Sequence, residues 1–364
     1  MKAVILVGGL GTRLRPLSIN TPKSMMPVVN IPFIEYVIRR LNQHGIKGVV
    51  LAISHLAEPI KKYIGDGARF GVDINYTIEE TALGTAGAVK NAEQYLDYEA
   101  FVVLNGDIFT DLDISAMVSL HRQRKAKITI ALTPVADPTH YGLIETDNTD
   151  RVIRFLEKPS REQITTNMIN AGTYIMETGV LNSIPAQKMF SFEREVFPTL
   201  LQKGEPIYAF ASSCYWIDIG TPQKYHQLNR DLLNGESNQF SFNRESRIAV
   251  GENGNIHDTV KITGPAIIGN NSTIGQNVKL NGAVIIGDGG TIGAGARLED
   301  SVIWHNTEIE PGATVRHSII ANNCHIGSES RILEAVISDN VSVSPGCILK
   351  TGSRIWPDTH VKKN

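Results

Sequence analysis

The sequence lacks a long hydrophobic run and an excess of charge of either sign. No apolar stretch approaches the roughly eighteen residues needed to span a bilayer, so we expect no membrane partner. The 35 basic and 37 acidic side chains nearly cancel. This balance argues against the strong positive field of proteins that bind nucleic acid, and no nucleic-acid partner is expected. We therefore expect ligands that bind at a local site.

Cysteine is also scarce, with Cys214, Cys324 and Cys347 as the three in 364 residues. An odd number at wide spacing argues against a disulfide framework or a zinc site. Small buried side chains in a reducing compartment are the simpler interpretation, so we expect a cytoplasmic protein.

Two familiar phosphate-binding motifs are missing from the glycine-rich segment GGLGTRLRP near the start of the chain. A P-loop needs a lysine directly after its last glycine, whereas here the next lysine is Lys23, twelve residues beyond Gly11. The dinucleotide fingerprint fails because Leu14 stands where its third glycine should be. What remains is a backbone able to approach an anion, with Arg13 and Lys23 supplying positive charge. We interpret the segment as a triphosphate-binding loop of another kind.

Residues 1–235 alternate short β-branched runs with helical patterns, as in FIEYVIRRLNQHG. This alternation predicts an α/β domain with a Rossmann-like, mostly parallel sheet covered by helices. Ligands of such sheets bind beyond the carboxyl ends of the strands. The predicted strands are 3–7, 48–54, 72–78, 101–107 and 127–135.

A second domain is predicted over residues 255–364, after a linker at 236–254. Apolar residues recur there at steps of six, and Gly, Asn, Ser and Asp fill the gaps. This period predicts a hexapeptide-repeat parallel β-helix, in which each coil buries its apolar residues against its neighbours. The first members of the series are Ile262, Ile268, Ile274, Leu280, Ile286, Ile292 and Leu298.

Seven motifs follow one another along the chain: GGLGTRLRP, TPKSMMPV, LGTAGAV (83–89), NGD (105–107), EKP (157–159), NAGTYIM (170–176) and WIDIGTP (216–222). Together they resemble the sugar-nucleotide pyrophosphorylases, a nucleotidyltransferase family. One branch of that family also carries a C-terminal left-handed β-helix, so the resemblance covers nearly the whole chain. ETALGTAGAV and the hexapeptide tail are most similar to mannose-1-phosphate guanylyltransferases. Glucose-1-phosphate uridylyl- and thymidylyltransferases share the same skeleton.

The resemblance implies transfer of a nucleotidyl group to a hexose-1-phosphate, with GTP and mannose-1-phosphate as the favoured substrates. The sugar phosphate attacks the α-phosphorus in line, so catalysis must neutralise repulsion between anions and align the reacting atoms. Arg13 can form bidentate hydrogen bonds with two oxygens of the leaving pyrophosphate. Lys23 can place a charge on the α-phosphate, and Lys158 can bind the sugar phosphate.

Two carboxylates, Asp107 and Asp218, lie at predicted strand ends. If they meet, they form a hard oxygen site suited to Mg²⁺, the expected cofactor. By resemblance, Glu157 and Asn170 bind sugar hydroxyls, and Gly142 lets the backbone approach the hexose.

The resemblance also assigns a nucleotide-binding set. For the base, a carboxylate could accept both N–H donors of guanine, and Glu79 and Glu80 precede LGTAG. Strand alternation lets one of the two face the site, and recognition by backbone alone is the alternative. The set is Leu6, Gly8, Gly9, Gly11, Thr12, Glu79, Glu80, Gly84 and Thr85.

Two rival functions are considered. An acetyltransferase in the β-helix could use His305, His317 or His325 as a base, but the nearly unbroken hexapeptide register leaves no long loop to build a coenzyme cleft. A non-catalytic regulatory subunit of the same architecture would be expected to lack some of the phosphate and metal ligands, which are all present here. The β-helix is expected to serve assembly of a homo-oligomer.

Overall fold

The computed structural model describes residues 1–54, 56–240 and 247–363. Contacts divide the chain into two compact units, the first comprising Met1–Gly9 and Ile34–Ile217, and the second Leu10–Phe33 and Asp218–Asn364. The segment Leu10–Phe33, here called the signature loop, therefore belongs with the C-terminal part of the chain. Residues 241–246, within the predicted linker 236–254, lie outside the described residues.

The first unit is built on a nine-stranded sheet with a parallel and an antiparallel part. Lys2–Leu6 pairs in parallel with Gly48–Ile53 and Phe101–Asn105. Met168–Met176 runs antiparallel beside Phe101–Asn105. The predicted α/β fold class is confirmed, and the antiparallel part extends the predicted sheet. The main path of the sheet is Val152–Glu157, Gly142–Thr146, Met168–Met176, Phe101–Asn105, Lys2–Leu6, Gly48–Ile53 and Asp73–Ile78, with Ile128–Pro134 and Ile207–Ala211 paired at its side.

Helices pack on this sheet through apolar stripes at helical spacing. In Phe33–Gln43 the stripe of Ile34, Val37, Ile38 and Leu41 is buried. The helix Ile114–Arg124 begins where the Asp113 carboxylate accepts the Ala116 N–H, at 2.9 Å. The remaining α-helices are Ala57–Ile64, Gly84–Asn91, Phe197–Gln202 and, in the second unit, Pro222–Asn234. Within the described ranges, no helix is long and apolar enough to cross a membrane.

The second unit contains three columns of stacked parallel strands, which is the predicted β-helix. The apolar residues predicted at steps of six contribute its core, where Ile286, Ile292 and Leu298 are almost fully buried. Its first strand, Ile248–Val250, lies in the segment predicted as a linker. The column used below consists of Ile248–Val250, Ala266–Ile268, the ends of Lys279–Ile286 and Arg297–Ile303, Ile319–Ile320, Val336–Ile337 and Arg354–Ile355.

The corners of the coils explain why Gly, Asn and Asp fill the gaps of the repeat. One corner takes a left-handed backbone conformation in every coil, with φ between 54° and 67°. Glycine adopts this conformation without strain, and Asn and Asp tolerate it better than other residues. The corner residues are Asn253, Asn271, Gly289, Asn306, Asn323, Asn340 and Asp358.

Candidate active site

Parallel strands of the first unit end at one edge of its sheet. The Gly106 N–H donates to the Leu6 carbonyl at 2.9 Å, so the NGD turn lies against the end of the first strand. A β-carbon at Gly106 would come within 2.7 Å of that oxygen, which explains why glycine is needed there. Asp107 is the next residue, and it therefore follows the strand end as predicted.

Gly8 approaches two polar side chains. Its carbonyl accepts a hydrogen bond from Ser54 Oγ. A β-carbon at Gly8 would lie 3.1 Å from Ser54 Oγ and 3.3 Å from Glu79 Oε1. At Gly9 a β-carbon would meet no atom of the described residues within 4 Å. Gly8 thus lets the backbone lie close to Glu79, and the backbone at Gly9 has open space beside it among the described residues.

Glu79 and Glu80 differ in their surroundings. Glu79 is buried, and its Oε2 accepts the Leu83 N–H at 2.9 Å. Burial raises the pKa of Glu79, against the opposing effect of the Leu83 N–H. Glu80 is exposed. Of the two candidates for reading the base, Glu79 is the enclosed one, and its Oε1 lies on the Gly8 side.

The LGTAG segment contains the start of the helix Gly84–Asn91 and contacts residues 190–193. Gly84 has φ of 70°, and a β-carbon there would lie 2.7 Å from the Phe190 carbonyl. Thr85 Oγ1 donates to Glu193 Oε2 and accepts the Phe192 N–H, both at 2.9 Å. The Thr85 hydroxyl, predicted to bind nucleotide, is thus engaged within the protein.

The predicted sugar-binding residues meet across one antiparallel pair of strands. Gly142 is directly opposite Glu157, and a β-carbon at Gly142 would lie 3.1 Å from Glu157 Oε2. The Lys158 N–H donates to the Tyr141 carbonyl at 2.9 Å, and Lys158 has φ of 51°. The turn after the strand therefore carries Glu157 and Lys158 next to the Tyr141-Gly142 pair.

Asn170 is held at a break in strand pairing between residues 170 and 174. Its Nδ2 donates to the Tyr174 hydroxyl at 2.8 Å, and its Oδ1 accepts the Gly172 N–H at 2.9 Å. The Tyr174 hydroxyl in turn donates to Glu193 Oε1 at 3.3 Å. Glu193 thereby connects the Asn170 segment to Thr85 of LGTAG.

Glu193 also acts on Glu157 through its charge. Burial is the largest cause that raises the pKa of Glu157, and the negative charge of Glu193 is the next. Lys158 and Arg194 oppose this shift. Glu193 therefore interacts through its charge with Glu157, one of the residues predicted to bind the sugar.

In the second unit, the signature loop folds so that Lys23 lies beside Gly11, two residues before Arg13. Gly11 has φ of 59° and precedes the short 3-10 helix Thr12–Leu14, which carries Arg13. A β-carbon at Gly11 would lie 3.7 Å from the Lys23 β-carbon. Ser18 Oγ closes the turn by donating to the Gly11 carbonyl at 2.7 Å. Gly11, Thr12, Arg13 and Lys23 thus belong to one folded loop.

Asp218 lies beside Arg13 in the same unit. A β-carbon at Gly220 would lie 2.8 Å from Asp218 Oδ2 and 3.1 Å from Arg13 Nη2. Asp218 Oδ1 forms an ion pair with Lys224 Nζ, on the helix Pro222–Asn234. Arg13, Asp218 and Lys224 therefore surround Gly220. Asp107 is a residue of the first unit, and its predicted sharing of a metal ion with Asp218 stays a prediction.

The β-helix histidines lie at the surface next to carboxylates of neighbouring coils. His305 approaches Asp288, and His325 approaches Glu308 and Glu310. Glu299, Asp300 and His317 have ligand atoms within 4.8 Å of one another, the one such group of three in the described part of the chain. Arg316 also contacts Glu299 at 3.2 Å, so this group is already partly neutralised.

Comparison with known proteins identifies the family. Residues 2–235, more than half of the chain, match the Nucleotidyl transferase family. The chain belongs to this family. Residues 250–364 of the nucleotidyl transferase match the family described as the GMPPB C-terminal domain.

Relatives of this nucleotidyl transferase use different bases. It is 40% identical over 234 residues to mannose-1-phosphate guanylyltransferase of Mycobacterium tuberculosis, covering 64% of this chain and 65% of the relative. It is 35% identical over 303 residues to UTP–glucose-1-phosphate uridylyltransferase of Synechocystis sp., covering 74% and 78%. The chain thus spans just under two thirds of the mycobacterial protein's length.

A solved structure is similar to part of the nucleotidyl transferase. It is HddC from Yersinia pseudotuberculosis complexed with GMP-PN, with a TM-score of 0.55 and 32% identity. The match covers 63% of this chain and 97% of HddC.

Sequence reasoning missed two charged residues of this nucleotidyl transferase. Glu193 sits in SFEREVFP, where its spacing from the other motifs carries no signal, since it is 108 residues from Thr85. Lys224 follows WIDIGTP at the first turn of a helix, where a lysine is ordinarily a solvated side chain. The contact of Glu193 with Thr85, across the fold, and the ion pair of Lys224 with Asp218, six residues earlier in the chain, single them out.

Proposed function

We propose that this nucleotidyl transferase joins a nucleoside triphosphate and a hexose-1-phosphate into a nucleotide sugar and releases pyrophosphate. The observation that carries the proposal is the meeting of Arg13, Asp218 and Lys224 around Gly220. This arrangement combines cations for phosphate oxygens with a carboxylate for a metal ion, which phosphoryl-group chemistry requires.

Each cation has a proposed role in the transfer. Arg13 grips two oxygens of the leaving pyrophosphate, since its planar guanidinium suits bidentate contact. Lys23 meets the charge that develops on the α-phosphate. Lys158 binds the phosphate of the sugar, and its main-chain bond to Tyr141 supports a defined position for its backbone.

Asp107 and Asp218 are proposed to hold Mg²⁺, because carboxylate oxygens are the ligands this ion prefers. Two observations fit the ion. Gly220 leaves beside Asp218 Oδ2 a space that a β-carbon would fill. Asn105 Oδ1, two residues before Asp107, is buried without a hydrogen-bond partner in the part of the chain that the structure describes. When bound, the ion neutralises phosphate charge and orients phosphate oxygens.

GTP is the proposed nucleotide, because the mycobacterial relative is a guanylyltransferase and HddC is complexed with GMP-PN. The alternative is UTP or dTTP, since the Synechocystis relative uses UTP. The enclosed carboxylate of Glu79 is the proposed acceptor for guanine N–H groups. Turnover of four triphosphates by Glu79→Gln and Glu80→Gln tests this role, and an unchanged preference in both variants would eliminate it.

Mannose-1-phosphate is the proposed acceptor, with glucose-1-phosphate as the alternative. Glu157 and Asn170 are the proposed ligands of the sugar hydroxyls, and Gly142 keeps the backbone close to them. Assembly into a homo-oligomer and a cytoplasmic location stay predictions of the sequence.

A screen of pyrophosphate release tests the function. GTP, UTP, dTTP and ATP are each combined with mannose-1-phosphate and glucose-1-phosphate in the presence of Mg²⁺, with a chelated sample as control. We expect the highest kcat/KM for GTP with mannose-1-phosphate. Binding of a triphosphate without release of pyrophosphate from any pair would instead support the regulatory-subunit alternative.

A further inference from the structure

One face of the β-helix contacts the backbone of the signature loop. The contacts come from four coils of one strand column, those with Lys279–Ile286, Arg297–Ile303, Val336–Ile337 and Arg354–Ile355. We call this set the anchoring face and define it by Ile286, Trp304, Ser338 and Arg354. All of its contacts described below lie within the second unit.

The first contact is close to Arg13 in the chain. Ser338 Oγ donates to the Pro16 carbonyl at 3.0 Å in a buried setting. Arg354 Nη1 donates to the neighbouring Arg15 carbonyl, also at 3.0 Å. Two adjacent carbonyls of an irregular segment are thus held by two coils of the β-helix.

Local hydrogen bonds connect these carbonyls to the turn that carries Arg13. The Arg15 N–H donates to the Thr12 carbonyl at 3.3 Å, and the Leu17 N–H donates to the Leu14 carbonyl at 3.1 Å. Leu14 and Leu17 are fully buried. A shift of the Arg15 and Pro16 carbonyls would therefore displace the turn Thr12–Leu14.

The second contact follows Lys23. Trp304 Nε1 donates to the Tyr225 hydroxyl at 2.9 Å, and that hydroxyl donates to the Pro27 carbonyl. Asn30 Nδ2 donates to the Ile286 carbonyl at 2.8 Å. Lys23 therefore lies on a stretch of chain held at both ends by the anchoring face.

We propose that Ser338 and Arg354 are positioning residues for Arg13, so the β-helix prepares the phosphate-binding loop for reaction. An irregular loop loses conformational entropy when it is ordered, and anchors formed before substrate binds remove that cost from the reaction. The expected effect on turnover rests on the proposed pyrophosphate-binding role of Arg13. The expected effect on loop order does not.

The test variant combines Ser338→Ala with Arg354→Ala. Its matched control combines Ser330→Ala with Arg331→Ala. Ser330 is also fully buried and donates its hydroxyl, at 3.1 Å, to the Ser344 carbonyl inside the β-helix. Arg331 is exposed on a strand of another column. The control therefore loses the same side-chain groups without touching the signature loop.

Hydrogen exchange at the amides of Leu14, Leu17 and Ile19 reports loop order without any assay of activity. We expect exchange at these amides to be about tenfold faster in the test variant and unchanged in the control, because two hydrogen bonds are lost. Equal exchange in the test variant and wild type would overturn the proposal.

Steady-state kinetics then report positioning of Arg13. We expect kcat/KM for the triphosphate to fall about tenfold in the test variant, while KM for the hexose-1-phosphate stays within about twofold. In an Arg13→Ala background the same two substitutions should have little further effect, since they act through Arg13. A full additional loss in that background would show a merely structural role.

The possible failures are distinguishable. If wild-type protein releases no pyrophosphate but the exchange difference is present, the proposed function fails and the anchoring of the loop stands. If wild type is active and the test and control variants behave alike, the anchoring proposal fails. Should the double variant not fold, Arg354→Ala alone, at an exposed position, is expected to give about a threefold change by either readout.

Discussion

The polar networks of the first unit and of the β-helix differ in how far apart in the chain their hydrogen-bonded residues lie. In the first unit, Glu193 accepts hydrogen bonds from Thr85, Ser191 and Tyr174, which come from separate stretches of the chain. In the β-helix, polar contacts repeat from coil to coil. The Asn323 side chain donates to Asn340, 17 residues away, and the Asn340 side chain donates in turn to Asp358, 18 residues away.

This difference explains why a sequence pattern predicts the contacts of the β-helix and does not predict those of the network around Glu193. A coil of the β-helix meets its neighbours at a constant offset, so one period describes both its core and its corners. The network around Glu193 has no period, because the sheet brings together segments joined by unrelated lengths of chain. We therefore expect substitutions in the network around Glu193, in the signature loop and around Gly220 to change chemistry. Substitutions in the repeating coils of the β-helix should change stability, with the anchoring face as the exception.

The largest effect on chemistry is expected for Lys23→Ala. If Lys23 meets charge that develops in the transition state, kcat falls by on the order of 10²–10³. Pyrophosphate release at saturating substrates measures it. Lys203→Ala, at an exposed lysine of the first unit, serves as the control. Near-normal turnover of Lys23→Ala would show that the role is misassigned.

The largest effect on stability is expected for Ile309→Ala in the β-helix. Ile309 is fully buried in the stacked core, so its truncation leaves a cavity and costs about 2–5 kcal/mol. Thermal unfolding measures the loss. The exposed Thr291→Ala on the adjacent strand should cost less than about 0.5 kcal/mol. A large change in KM of the folded Ile309→Ala protein would contradict the expectation that substitutions in the β-helix core change stability and not chemistry.

A smaller effect is expected for Gly220→Ala. The added methyl group would lie 2.8 Å from Asp218 Oδ2 and 3.1 Å from Arg13 Nη2, so one of them must move. We expect kcat/KM to fall roughly tenfold to a hundredfold. Gly179→Ala is the matched control, because among the described residues the nearest atom to its added methyl group would be Lys127 Nζ, at 4.0 Å. Equal activity of the two variants would argue against a reaction centre at Gly220.

The smallest effect is a shift in pH dependence in Glu193→Gln. If ionised Glu157 accepts hydrogen bonds from the sugar hydroxyls, as proposed, kcat/KM for the hexose-1-phosphate should fall as pH drops through the pKa of Glu157. Burial and then the charge of Glu193 raise this pKa above its ordinary 4.5. Removal of that charge should move the inflection to lower pH.

The control for this shift is Glu195→Gln. Glu195 accepts the Ser191 N–H in the same segment but is not among the groups that shift the pKa of Glu157. Its pH profile should match that of the wild type. An inflection that stays in place in Glu193→Gln would show that the two carboxylates are not coupled through charge.

Much of the scaffold could be predicted from the sequence. The run 48–54 forms Gly48–Ile53, and 127–135 forms Ile128–Pro134. The run 101–107 stops earlier, at Asn105, and the Gly106 N–H makes a last hydrogen bond to the first strand, at the Leu6 carbonyl. The antiparallel strand Met168–Met176 was predicted only as a motif, since NAGTYIM has no clear alternation of apolar and polar residues.

The candidate site was predictable as a set of residue types and not as an arrangement. Glu79 and Glu80 were equivalent in sequence, and burial against Leu83 and Gly8 distinguishes them. Thr85 stays a predicted nucleotide ligand, and the contact of its hydroxyl with Glu193 could not be predicted from the sequence. These outcomes depend on which segments the sheet brings side by side, and local patterns carry no information on that.

The sequence by itself determined the positions of five strands along the chain, the repeat of the β-helix and the chemistry available to the signature loop, because each of these depends on neighbours along the chain. Only the tertiary structure decided that this loop belongs to the unit that contains the β-helix, with Ser338 on the carbonyl of Pro16. The physical reason is the distance along the chain: a hydrogen bond between residues 322 positions apart exists only after both segments have folded.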